Sequence, residues 1–280
     1  KKCFVSIKKQ SNRINIVSWE RIRDEFIKIL KTKKPSIGLI MLQKTGLMKI
    51  VFPEIDIMYG MDQTKEWHHK DIFAHTMQVV DNAAKLSDKM EIRFAALVHD
   101  IAKPNTRRID KDKGYTFHGH DAVGEKMLNK VAKRMKLSNK LKCYLKKLTR
   151  LHLRPIALVK DNVTDSAVRR LMVASGQDLN DLMILCRADI TTKNPKRVSK
   201  YLKNFELVEE KIKHVIKIDK KRLFQSPIRG NEIMKICGLS EGRKIGKIKK
   251  AIEEAILDGI IENDYNSSLE YLNKIKKNYI

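Results

Sequence analysis

The chain of 280 residues carries 59 Lys and Arg against 33 Asp and Glu, a formal charge of +26 that exceeds what solubility requires and implies a polyanionic partner. Hydrophobic residues make up 42%, enough for one large core or two smaller ones. No apolar run approaches the roughly 20 residues that span a bilayer, so nucleic acid is favoured over membrane as the partner. Cys3, Cys143, Cys186 and Cys237 have no paired spacing, which argues against a disulfide framework or a cysteine zinc site and fits a reducing cytoplasm.

The opening stretch KKCFVSIK reads as a strand, and with no initiator Met or signal-peptide pattern the sequence is expected to be a fragment lacking an upstream part. From Ser18 to Leu30, Ile22, Phe26, Ile29 and Leu30 recur at helical spacing, with Ser18 as N-cap. Pro35 and Gly38 punctuate, a short apolar helix follows over Leu39 to Leu42, and Phe52-Pro53-Glu54 marks a first boundary. Helices are predicted over 69–86, 89–103, 120–136, 138–152, 166–175 and 178–190, with no alternating strand among them. Between the second and third lies PNTRRIDKDKGYTFHGH, read as a polar loop. Beyond Asn194-Pro195 the chain is basic and helical. The expected fold is all-α: a neck remnant with a short strand (1–53), a helical domain (54–192) and a basic helical tail (193–280).

Several polar residues occupy positions where these helices would otherwise place apolar ones. Ile92, Ala95, Ala96 and His99 follow i, i+3, i+4, i+7 spacing, and Asp100 is adjacent. His75 falls between Ile72 and Val79, His152 extends Leu141, Leu145 and Leu148, and Asp189 continues Leu182, Leu185 and Cys186. One such residue is accounted for by a carbonyl-bonded core histidine or a capping aspartate. Burying the whole set unpaired would be costly, and a shared divalent cation resolves that conflict with the ligand types it needs.

In this order and on helices, His75, His99-Asp100 and Asp189 in the context CRAD resemble the metal signature of HD-superfamily phosphohydrolases. His120 in FHGHD and His152 resemble the further histidines that give some members a second metal, with His118 a competitor for His120. ERIRDE at Glu20 to Glu25, GLIMLQKTGLMKIVFPEI, HHKDIFAHT and the terminal GLSEGRKIGKI together resemble the C-terminal portion of bacterial tRNA nucleotidyltransferases, the CCA-adding and poly(A) polymerase family. The resemblance implies a neck, an HD domain and a tail that holds tRNA or another structured RNA. A free-standing HD nucleotidase acting on small nucleotides is the alternative. The family's Gly-Ser phosphate loop and Asp-x-Asp pair, expected upstream of ERIRDE, are not found, so this chain alone is not expected to add nucleotides. Asp110-Lys111-Asp112 has the letters but reads as a solvated turn.

The resemblance implies hydrolysis of a phosphomonoester or cyclic nucleotide phosphate. Asp100 is the candidate to bridge two ions or orient water, and Lys103, Arg107 and Arg108 are candidates for the phosphate. Histidine-rich ligation favours Mn, Ni, Fe or Zn over Mg. Lys193, Lys196, Arg197, Lys200 and Lys203, continued by Lys211, Lys213, Lys217, Lys220, Lys221 and Arg222, form a basic excess suited to a phosphate backbone. Arg243, Lys244 and Lys247 follow Gly242 at a predicted helix start and are candidate phosphate contacts.

Overall fold

The computed structural model describes residues 2–62, 71–112, 114–159, 164–219 and 227–279. It is predominantly α-helical and divides into two compact units, residues 1–157 with 175–205, and residues 158–174 with 206–280. His68, His69 and Lys70 of HHKDIFAHT, where the helix 69–86 is predicted to start, and the tail residues Lys220, Lys221 and Arg222 lie outside the described residues.

The first unit begins with α1 (Lys2–Lys9). This corrects the reading of KKCFVSIK as a strand: the β-branched Val5 and Ile7 suggested extension, but both are exposed and a helix satisfies its own backbone without a partner strand. Helix α2 (Trp19–Lys31) starts where Ser18 accepts from Arg21 N, and buries Ile22, Phe26 and Leu30. Then come α3 (Pro35–Lys44), α4 (Leu47–Val51) and α5 (Pro53–Asp56). The rings of Phe26, Phe52 and Phe94 pack with centroids 5.7 to 6.3 Å apart, joining these helices to the centre of the unit.

That centre is the pair α6 (Ile72–Leu86) and α7 (Met90–Val98). Buried Arg93 ties α7 to the end of α2, donating from Nη1 to the carbonyls of Leu30 at 3.0 Å and Thr32 at 3.1 Å, and from Nε to Ser87 O at 3.2 Å. Helix α7 stops at Val98, earlier than the predicted 103. His99 to Ala102 form tight turns closed by Ile101 N to Val98 O and Lys103 N to Asp100 O, and Pro104, in the first turn of the short α8 (Lys103–Thr106), has no N–H with which to extend the previous helix.

The predicted polar loop contains an antiparallel hairpin, β1 (Arg108–Asp110) and β2 (Gly114–Thr116), in the register Arg108 to Thr116, Ile109 to Tyr115 and Asp110 to Gly114. Sequence reading missed it because three-residue strands carry too little alternation to register. Asp110 supports the turn by accepting from Asp112 N.

Helices α9 (His120–Arg134), α10 (Asn139–Leu151) and α11 (Arg154–Ala157) follow. Next in the chain are α12 (Asp165–Ser175), which belongs mostly to the second unit, and α13 (Leu179–Ala188), which returns to the first. Gly124 lets α9 approach closely: a Cβ there would lie 3.0 Å from Thr149 Cγ2 and 3.2 Å from Ile101 Cγ2.

Helix α14 (Pro195–Asp219) leads into the second unit, which continues with α15 (Gly230–Cys237), α16 (Arg243–Leu257) and α17 (Tyr265–Ile275). Its core gathers Ile228, Ile233, Cys237, Ile248, Ile252, Ile256 and Leu272. Among the described residues no helix is long and apolar enough to cross a membrane.

Candidate metal centre

Side chains from separate elements of the first unit converge. His75 comes from the first turn of α6, His99 and Asp100 from the turn after α7, His120 from the first residue of α9, His152 from the end of α10, and Asp189 from the end of α13. Helix termini recur here for a reason: the last turn frees the chain to aim a side chain inward while the helix behind it stays packed.

The groups form two sets. In the first, His75 Nε2 lies 3.0 Å from Asp189 Oδ1, and His99 Nε2 lies 3.4 Å from the same oxygen. In the second, His120 Nε2 is 3.2 Å and His152 Nε2 3.8 Å from Asp100 Oδ1, and the two imidazole nitrogens are 3.3 Å apart. Asp100 reaches both, because its other oxygen, Oδ2, is 3.0 Å from His99 Nε2 and 3.5 Å from His75 Nε2. The sets His75, His99, Asp189 and Asp100, His120, His152 each place one ligand atom per residue within 4.8 Å of the others.

Backbone contacts decide which imidazole nitrogen faces inward. The Nδ1 atoms of His99, His120 and His152 lie 2.7 to 2.8 Å from the carbonyls of Ala96, Phe117 and Thr149, each three residues earlier. An N–H belongs on that side, so Nε2 is the nitrogen that faces inward, toward the carboxylates and any ion they hold. His75 Nδ1 is paired with Thr191 Oγ1 at 3.0 Å.

Two observations make this a setting for divalent ions. His99 Nε2 is buried between two carboxylates, 3.0 Å from Asp100 Oδ2 and 3.4 Å from Asp189 Oδ1, a concentration of negative charge that a cation or a proton must offset. The facing Nε2 atoms of His120 and His152 would oppose lone pair to lone pair unless a cation or proton lay between them. Neutral imidazoles and carboxylates on rigid helices supply the donors such an ion takes.

The charges interact strongly. Burial works against a proton on His99, but Asp100 and Asp189 outweigh it and lift its pKa to about 10. His75 is raised against the same burial by hydrogen bonding to the same two carboxylates. His152 is lowered to about 4 by burial and by repulsion from His99. Asp100 is held well below the usual carboxylate range despite its burial, by His99, Lys103, His120 and His75. Asp189 is lowered in the same way by His99 and His75.

Residues 72–194 match the HD domain family. The chain carries an HD domain. Residues 1–58 match the family described as the probable RNA and SrmB-binding site of polymerase A. The chain is 28% identical over 251 residues to the A-adding tRNA nucleotidyltransferase of Deinococcus radiodurans, covering 88% of this chain and 56% of that protein. It is 29% identical over 248 residues to the CC-adding tRNA nucleotidyltransferase of Thermus thermophilus, covering 86% and 53%. A multifunctional CCA protein from Psychromonas ingrahamii is 35% identical over 130 residues, covering 46% and 31%. The chain thus spans about half the length of these two tRNA nucleotidyltransferases.

All six predicted ligands lie in the HD domain centre. His118 is exposed, whereas His120 is buried and meets Asp100. Lys103 Nζ is 2.7 Å from Asp100 Oδ2. Arg107 is half-buried beside Tyr115 and Arg108 is exposed. Arg243, Lys244 and Lys247 are exposed on α16 in the second unit, outside the HD domain. Two supporting residues escaped sequence reading. Thr191 orients His75, and Asn82 Nδ2 donates to Ala188 O at 2.9 Å and Ile190 O at 3.4 Å, fixing the backbone on both sides of Asp189. Asn82 is seven residues from His75 on α6, hence on the same face, which is the one signal that pointed to it.

Proposed function

We propose that this chain is the RNA-binding C-terminal portion of a tRNA nucleotidyltransferase-like protein, and that its HD domain hydrolyses phosphomonoesters or cyclic nucleotide phosphates. In this reading residues 1–53 are a neck, 54–192 the HD domain and 193–280 a basic tail that holds tRNA or a similar structured RNA in the cytoplasm. The observation that carries the hydrolase reading is Asp100, with one carboxylate oxygen toward each ligand set. The likeness to A-adding and CC-adding enzymes over 88% and 86% of the chain, well beyond residues 72–194, favours it over a free-standing nucleotidase.

His75, His99 and Asp189 would hold one divalent ion and His120 and His152 a second, with Asp100 between them. Such ions would supply Lewis acidity toward a water and a phosphate oxygen. The protein's own groups do the rest. Carbonyl contacts at Nδ1 keep the imidazoles in one tautomer, and Asp100 orients the attacking water. Lys103, 2.7 Å from Asp100 Oδ2, is placed to meet the charge that grows on the phosphoryl group. His75 and Asp189, with side chains 11% and 22% exposed, line the approach, whereas His99 is fully enclosed.

The test is turnover by the purified chain, with Mn or Ni, of a phosphomonoester and of a cyclic nucleotide phosphate. Activity on at least one ester is expected, and rates no higher than those of a His99→Ala/Asp100→Ala control reject the hydrolase reading. A tRNA titration at two salt concentrations tests the tail: affinity should fall with salt, and salt-independent binding contradicts it.

A further inference from the structure

The turn that carries His99 and Asp100 continues into two cation–aromatic pairs. Lys103 Nζ, already beside Asp100, lies 5.5 Å from the ring centre of Phe117, and Arg107 Cζ lies 3.8 Å from the ring centre of Tyr115. Lys103 and Arg107 are four residues apart, about 6 Å of helical rise and on one face of the turn. Tyr115 is the central residue of β2, and Phe117 follows the strand's last residue, Thr116, so the two rings lie about 7 Å apart along the chain. The pairs therefore form a row that starts at Asp100 and leads away along β2. Its near end is fixed, because the Phe117 carbonyl lies 2.7 Å from His120 Nδ1.

The two cations differ in what they meet. Lys103 is paired with Asp100. Arg107 Nε is buried and, among the described residues, finds no acceptor, and no carboxylate there forms an ion pair with its guanidinium. Stacking on Tyr115 holds the guanidinium plane and leaves its in-plane donors for an oxyanion, the fork geometry that suits phosphate. A costly unmet donor, pre-oriented one step from the centre, is a place for a ligand group.

We infer that Arg107 binds the phosphate next to the one being hydrolysed, so that the HD domain acts on the end of an RNA strand in preference to a mononucleotide. This rests on the phosphoester hydrolysis proposed above. The spacing of the row separates a strand from a nucleoside diphosphate: adjacent phosphates of a diphosphate share an oxygen and sit too close, whereas those of a strand are held apart by a sugar. Tyr115 acts through Arg107 as a positioning residue.

The experiment compares kcat and KM of the Mn-loaded full chain for a mononucleotide, a nucleoside diphosphate and a trinucleotide ending in the same type of phosphate. The trinucleotide should have a kcat/KM at least about tenfold higher than the mononucleotide, expressed mainly in KM. Arg107→Ala should lower that trinucleotide-to-mononucleotide ratio about tenfold, Tyr115→Ala should lower it less, and Arg107→Lys should retain part of it. Equal use of the two by the wild type, a preference that survives Arg107→Ala, or a preferred diphosphate overturns the inference. Should the wild type hydrolyse none, the hydrolysis reading fails by itself. Equilibrium binding of the same compounds with Mn then decides: a trinucleotide preference that depends on Arg107 upholds the contact, and its absence removes it.

Discussion

In the HD domain, His99, Asp100 and His152 are no more than 2% exposed, and each aims a polar atom at another titratable group. On α16 of the C-terminal unit, Arg243, Lys244 and Lys247 stand in solvent, while Ile248, Ile252 and Ile256 of the same helix form its core. The first region places polar groups where burial forces each to be satisfied, so every one constrains the chemistry. The second follows the ordinary amphipathic rule, and its charges are informative only in sum. One region is therefore sensitive to single substitutions, and the other to the number of charges removed.

The largest effect is expected outside the ligands, at the buried cation that fixes α7. Arg93→Met removes donors to the carbonyls of Leu30, Thr32 and Ser87 and should destabilise the fold by about 3 kcal/mol, read by denaturant unfolding. A loss below about 1 kcal/mol would mean that the buried region is as tolerant as the tail. Asn82→Ala leaves every proposed ligand in place but frees the backbone around Asp189. Mn affinity, measured by titration, should drop about 10- to 100-fold.

Protonation sharpens the contrast within the centre itself. With its pKa near 10, His99 holds a proton at pH 7 that an arriving ion must displace, whereas His152, near 4, holds none. Ion affinity should therefore rise as pH increases from 7 toward 10, by up to about tenfold per unit, with proton release visible calorimetrically in buffers of different ionisation heat. Affinity that is flat over this range contradicts the electrostatics described for His99. Smallest of all, Lys200→Ala or Lys247→Ala should leave stability within about 0.5 kcal/mol, and each should lower the salt slope of tRNA binding by at most about 1.

Helices with strong apolar periodicity were legible in the sequence: α2 behind its expected cap Ser18, and α10, expected over 138–152, begin within a residue of where they were expected. The centre was legible for a related reason, since His75, His99 and His152 interrupt or end apolar stripes. What escaped depends on contacts distant in sequence or on elements too short to carry a pattern. The β-branched residues of α1 suggested a strand, the hairpin at Arg108–Thr116 offered only three-residue strands, and Pro104 gave little sign that α7 would end as early as Val98. Likewise the pairing of Arg107 with Tyr115 across the hairpin turn exists only once the chain has folded back.

Ion stoichiometry tests the central claim, that Asp100 joins two ligand sets, more directly than any rate. Elemental analysis after Mn loading and removal of free ion should find two ions per wild-type chain, and fewer than one per chain of Asp100→Ala. A wild type that retains none, or an Asp100→Ala variant that retains as many as the wild type, would contradict it.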